Sequence, residues 1–181
     1  MFRPGAAVPA SEGVRICAAG ALLALWLAGC LPPSSTGGGL HFTTIEQKND
    51  AAYTGHQQYN ALDPGLLVFF DEAAAAAHLD LFSDAARDLV ARVDWRTQFV
   101  VAVFQGWQNG AGYGVTIERI AVDGTALRVH AVFRTPEEPG GPVTSPYHLV
   151  AVRRPLAAVE GLSFELVVGE GVVLTLTPAP R

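Results

Sequence analysis

Phe99-Val100-Val101-Ala102-Val103-Phe104 is the stretch on which the fold turns. It is an unbroken apolar run, β-branched or aromatic at all but one position. That composition suits a central strand covered on both faces. Downstream, Leu127, Val129, Ala131 and Phe133 alternate with Arg128, His130, Val132 and Arg134, the pattern of a half-buried strand with one mostly wet face. Asp123-Gly124 stands just before it as a hairpin signal. In the preceding strand Val115 and Ile117 share one phase while Ile120 and Val122 take the other, which predicts a β-bulge near Arg119. Phe164, Leu166 and Val168 are expected to pair with Val172, Leu174 and Leu176 across Gly169-Glu170-Gly171.

Upstream of the central run, Leu66 to Phe70 reads as a short buried strand, and His41 to Glu46 as an opening one. Asp71 and Glu72 precede Ala73 to Ala77, and carboxylates at the start of an alanine run favour a helix by capping free amides. A second helix is expected from Ser83, with Ala86, Leu89, Val90 and Val93 on one face. The fold class is therefore α+β: a mainly antiparallel meander or sandwich-like sheet of about seven strands, with two short helices inserted near the N-terminal side.

The first thirty residues have the layout of an export signal. Arg3 and Arg15 supply positive charge, with Glu12 between them, and Ile16 to Leu27 form an apolar run broken only by Gly20. The run is shorter than the roughly 20 residues that cross a bilayer. It closes on Leu27-Ala28-Gly29-Cys30, which looks like a lipobox, with Cys30 as the acylation point. Cys17, the other of the two cysteines, falls inside the segment to be removed, so no internal disulfide is expected. Diacylation would consume the remaining thiol and anchor the chain firmly. Residues 1–29 are read as a lipoprotein signal peptide, 30–39 as the lipidated cysteine and a Pro/Ser/Gly tether, and 40–181 as the globular domain. The expected location is the cell membrane or outer membrane, lipid-anchored and facing away from the cytoplasm.

The chain carries a formal charge of −5 and no basic stripe, which argues against a nucleic-acid partner. His41, His56, His78, His130 and His148 show no ligand spacing, and no metal or other cofactor is expected. Ser145 lies between Thr144 and Pro146 without a glycine elbow. Glu137-Glu138 sits in a Pro/Gly-rich loop that would not hold a catalytic carboxylate pair at fixed separation. Gly110-Ala111-Gly112-Tyr113-Gly114 is followed by Val115-Thr116-Ile117-Glu118, a strand rather than the helix that a nucleotide fingerprint requires. These residues predict neither an enzyme nor a small-molecule substrate. The glycines instead shape a loop, Trp107 to Tyr113, whose two aromatics either cap the core or project as anchors for a partner.

Val100 to Gly106, the short polar loop, Gly112-Tyr113-Gly114-Val115-Thr116-Ile117, Leu127-Arg128-Val129 and Val143-Thr144-Ser145-Pro146-Tyr147-His148-Leu149-Val150 together resemble the C-terminal domain of the PrcB family. Val93-Asp94-Trp95 after a helix also fits, and the likeness covers roughly Val93 to Val152. The family usually has Gly-Gly-Tyr where this chain has Ala111-Gly112-Tyr113. The resemblance implies a lipoprotein without catalytic residues that binds and stabilises an exported protease. Trp107, Asn109, Gly112, Tyr113, Pro146 and Tyr147 are the expected partner-contact residues, with Trp107 and Tyr147 as dispensable for folding. The alternatives are a protease inhibitor, since the Gly-Tyr loop also resembles that of chagasin-type inhibitors, and a hydrolase of envelope polymers.

Overall fold

The computed structural model describes residues 39–49, 59, 61–155, 159 and 161–177. The signal segment 1–29, Cys30 and the tether up to residue 38 lie outside the described residues, as does His56.

Among the described residues, eight strands form two four-stranded sheets. The first is antiparallel in the order β1 (Phe42–Lys48), β6 (Tyr147–Arg153), β3 (Gln98–Phe104) and β2 (Gly65–Phe69). The second runs β4 (Gly114–Asp123), β5 (Ala126–Arg134), β7 (Ser163–Val168) and β8 (Gly171–Leu176), with β5 and β7 parallel and the other pairs antiparallel. Between β2 and β3 come a short helix α1 (Glu72–Ala76), a 3-10 turn at Leu79–Leu81, and α2 (Asp84–Val90).

Alternation along β3 explains its unbroken apolar run. Phe99, Val101 and Val103 pack with Ile117, Leu127, Val129 and Leu166 of the second sheet. Val100, Ala102 and Phe104 pack on the other side with Phe82, Ala86 and Val90 of the helical segment. The strand is the middle of three layers, helices over sheet over sheet, so neither of its faces meets water.

Both helix starts are capped as their sequences predict. Asp71 accepts from the Ala74 amide at 2.7 Å, and Ser83 accepts from the Ala86 amide at 3.2 Å. Ala86 and Val90 are buried and Val93 is half-buried, but Leu89 is 43% exposed. Leu89 stands at the rim of the buried stripe, beside an open groove. The expected bulge falls between Ile117 and Arg119, and Asp123 pairs with Ala126 across the tight turn at Gly124 (φ 59°).

The fold class is as read, with a different strand order. A plain meander would place β6 next to β5; it returns instead to the first sheet, between β1 and β3. Six of its seven residues are buried, which demands a central position in the covered sheet. In the last hairpin Phe164 pairs with Leu176 and Leu166 with Leu174, but Val168 faces Gly171 rather than Val172. A register shift at Leu166/Val167 absorbs the difference and leaves Val172 and Val173 both about half exposed.

Candidate functional site

The turn out of β3 is held by its backbone. Gly106 has φ +85°, and a Cβ there would stand 2.4 Å from the Leu62 carbonyl oxygen, so only glycine fits. The next amide, Trp107, donates to Ala61 O at 2.8 Å. Gln108 and Thr144 exchange both backbone hydrogen bonds, at 2.8 and 3.0 Å, and the Ala111 amide donates to Gly140 O at 2.6 Å. Thr144 Oγ1 donates to Gly110 O at 2.8 Å. Gly112 has φ +93°, and a Cβ there would press on Pro136 at 2.9 Å.

This frame carries exposed apolar side chains. Trp107 is 41% exposed, Leu62 78% and Val143 42%. Each lies on or one residue from a backbone bond joining the three segments, so they gather at one end of the sandwich. Asn109 is exposed beside them, while Gly112 and Tyr113 are half-buried. Trp107, Asn109, Gly112 and Tyr113 are thus brought together on one loop.

Tyr147 and Pro146 are not part of that surface. Pro146 is buried, and Tyr147 is 1% exposed, its ring against Phe82 at 5.5 Å and Phe104 at 5.7 Å. The Tyr147 hydroxyl donates to Glu46 Oε2 and accepts from the Ser83 amide at 3.4 Å; Ser83 Oγ donates to Glu46 Oε1 at 2.6 Å. Burial, then the Glu46 carboxylate, pushes the phenol's pKa well above its usual value. Tyr147 is a core residue that ties α2 to β1 and β6, and its expected dispensability is corrected. A signal was present: Tyr147 to Val152 is apolar at every position but His148, the mark of a covered strand already begun at Tyr147.

His148 has a role that its sequence context did not suggest. It is 3% exposed on β6, and its Nδ1 accepts the Ile117 amide proton across the sheets at 2.8 Å. The ring proton therefore sits on Nε2, which donates to Thr44 Oγ1 at 2.9 Å. Burial pushes its pKa down to about 4, so the imidazole is neutral. Nearby, Asn49 Oδ1 accepts the Val115 amide at 3.1 Å and Gln47 Nε2 donates to Val115 O at 2.7 Å. Leu40 N donates to Ile120 O at 2.6 Å. These groups, from the first sheet and from the residues flanking β1, satisfy β4's outer edge, which would otherwise offer bare amides and carbonyls.

The other singled-out residues do structural work or stand in water. His130 is half-buried with Nε2 2.8 Å from Arg119 Nη2; burial, then Arg119 and Arg128, lowers its pKa. His78 is exposed, its ring 5.5 Å from that of Phe69. Ser145 is buried and its Oγ donates to Tyr59 O at 3.3 Å. Glu137 and Glu138 are exposed on their loop. Among the described residues, no three of His, Cys, Asp and Glu are grouped to hold a metal ion, and no helix is long and apolar enough to cross a membrane.

A two-sheet scaffold with a helical layer and a pinned aromatic loop is a domain whose distinctive feature is a surface. Residues 99–153, from β3 through β6 and including that loop, match the family model described as PrcB C-terminal. The match bears out the resemblance to the PrcB family drawn from those residues. No curated protein matches the chain, and no solved structure does.

Proposed function

We propose that the chain is a non-catalytic protein-binding subunit, tethered outside the cytoplasm by lipid on Cys30, with an exported protease as its partner. The observation that carries this reading is the exposed Trp107 on a loop pinned by backbone hydrogen bonds. An anchor held in place before binding loses little conformational freedom on docking. Tryptophan is among the residues whose burial dominates interface energies, often by about 2 kcal/mol or more. The PrcB C-terminal match, which is consistent with association in a protease complex, supports the choice of partner.

The test is capture from detergent-solubilised envelope with the tagged full chain. A stoichiometric exported protease is expected with the wild type and lost with Trp107→Ala at unchanged thermal unfolding. Recovery of the same protease by both forms would remove the loop from the interface, and recovery of none would remove the partner. For the anchor, Cys30→Ser is expected to move the chain from the membrane fraction to the soluble one. Retention in the membrane would refute lipid tethering at that residue.

A further inference from the structure

The helical layer does not cover the whole of the first sheet. Where β1 and β3 begin and β6 ends, Thr43, Gln98 and Ala151 form the shared floor of two adjoining hollows. One, of 240 Å³, is bordered by Arg92 just beyond α2; the other, of 310 Å³, is bordered by His41 and Arg153. Either volume is of the order of a small-ligand site, about 300 Å³ and upward.

The charge pattern of this groove runs against that of the chain. The sequence has 17 Asp and Glu against 12 Lys and Arg, yet no carboxylate lines either hollow. Among the described residues, neither the Arg92 nor the Arg153 guanidinium has an ion-pair or hydrogen-bond partner. The nearby Asp94 is already engaged, accepting from Thr97 Oγ1 at 2.7 Å and from the Arg96 amide at 3.2 Å. Arg154 is engaged too, donating to Gln98 O at 3.0 Å and lying over the Phe70 ring at 5.6 Å. Arg92 and Arg153 are therefore left as uncommitted cations, one bordering each hollow.

We infer that this groove binds a phosphate-bearing ligand, with Arg92 and Arg153 as the paired cations and Thr43, Thr97 and Gln98 as neutral hydrogen-bonding groups. Guanidinium forks suit phosphate because each presents parallel donors to two oxygens. A phosphate monoester carries about −1.5 to −2 charge near neutral pH, a diester such as a phospholipid headgroup about −1, and either has unesterified oxygens to offer a guanidinium. The same chemistry is found in a soluble phosphate ester and in the headgroup of an anionic lipid.

The test uses the full chain carrying Cys30→Ser, so that no acyl group holds it to a bilayer. Inorganic phosphate is titrated at constant ionic strength while the amide resonances of Thr43, Gln98 and Ala151 are followed. In parallel, sedimentation is measured with vesicles of neutral lipid, with and without phosphatidylglycerol. Saturable shifts at those amides, weakened at least about tenfold in the Arg92→Gln/Arg153→Gln double variant, are expected. Phosphate binding alone assigns a soluble ester; arginine-dependent sedimentation that requires phosphatidylglycerol assigns a headgroup. Phosphate shifts no larger than those of chloride, with sedimentation indifferent to phosphatidylglycerol, overturn the proposal. So do responses that survive in the double variant with its fold intact.

Discussion

Lowering the pH should loosen the contact between the two sheets through His148. Its Nδ1 accepts the Ile117 amide proton and its Nε2 donates to Thr44, so the neutral ring is bonded on both sides. A second ring proton would turn Nδ1 into a donor facing another donor, at a site 3% exposed. The folded-state pKa of about 4 lies below the ordinary value of 6.5. The unfolded chain therefore takes up the proton first as pH falls. His148's contribution is fully present above pH 6.5, declines as pH falls from there, and is exhausted below about 4. At 1.36 kcal/mol per pKa unit the whole difference is about 3 kcal/mol, with roughly 1 kcal/mol gone by pH 5.5. Urea unfolding from pH 7.5 to 4.5 measures it, with His148→Asn as the control, since Asn can offer Ile117 an acceptor without titrating. The variant should start less stable at pH 7.5 and lose about 2.5 kcal/mol less over that range. Carboxylates titrate in both proteins and drop out of the comparison. Parallel curves, or a His148 ring titrating near 6.5 in the folded protein, would refute the reasoning.

Other substitutions probe the same framework. Tyr147→Phe leaves Glu46 Oε2 without its phenol donor and should cost about 1–3 kcal/mol, whereas Tyr147→Ala opens a cavity beside Phe82 and Phe104 and should cost about 3–5 kcal/mol by chemical denaturation. Gly106→Ala forces a Cβ against the Leu62 carbonyl at positive φ; it should destabilise by more than about 1 kcal/mol and change Trp107 fluorescence as the loop shifts. Ser83→Ala removes both the α2 cap and a donor to Glu46, and a loss of about 1–2 kcal/mol in the unfolding free energy is expected. Trp107→Ala, at an exposed position, should leave stability within about 0.5 kcal/mol, which thermal and urea unfolding would check.

Local patterns were legible in the chain because they are set by neighbours along it. The apolar run 99–104 marked a strand covered on both faces, the phase change between Ile117 and Ile120 marked a bulge, and Asp71 and Ser83 marked two helix starts. Trp107 and its glycines were recognisable as a shaped loop, since positive φ and an unpaired aromatic both leave traces in composition. The placement of β6 between β1 and β3 depended on which sheet could bury both its faces, a contest between distant segments. Tyr147 and His148 took their roles from Glu46, Ser83, Thr44 and Ile117, all far from them in sequence. The same holds for the groove, whose floor joins three strands and whose arginines come from two elements. Burial and partnership of a polar side chain are properties of what packs against it, and only the folded chain decides that.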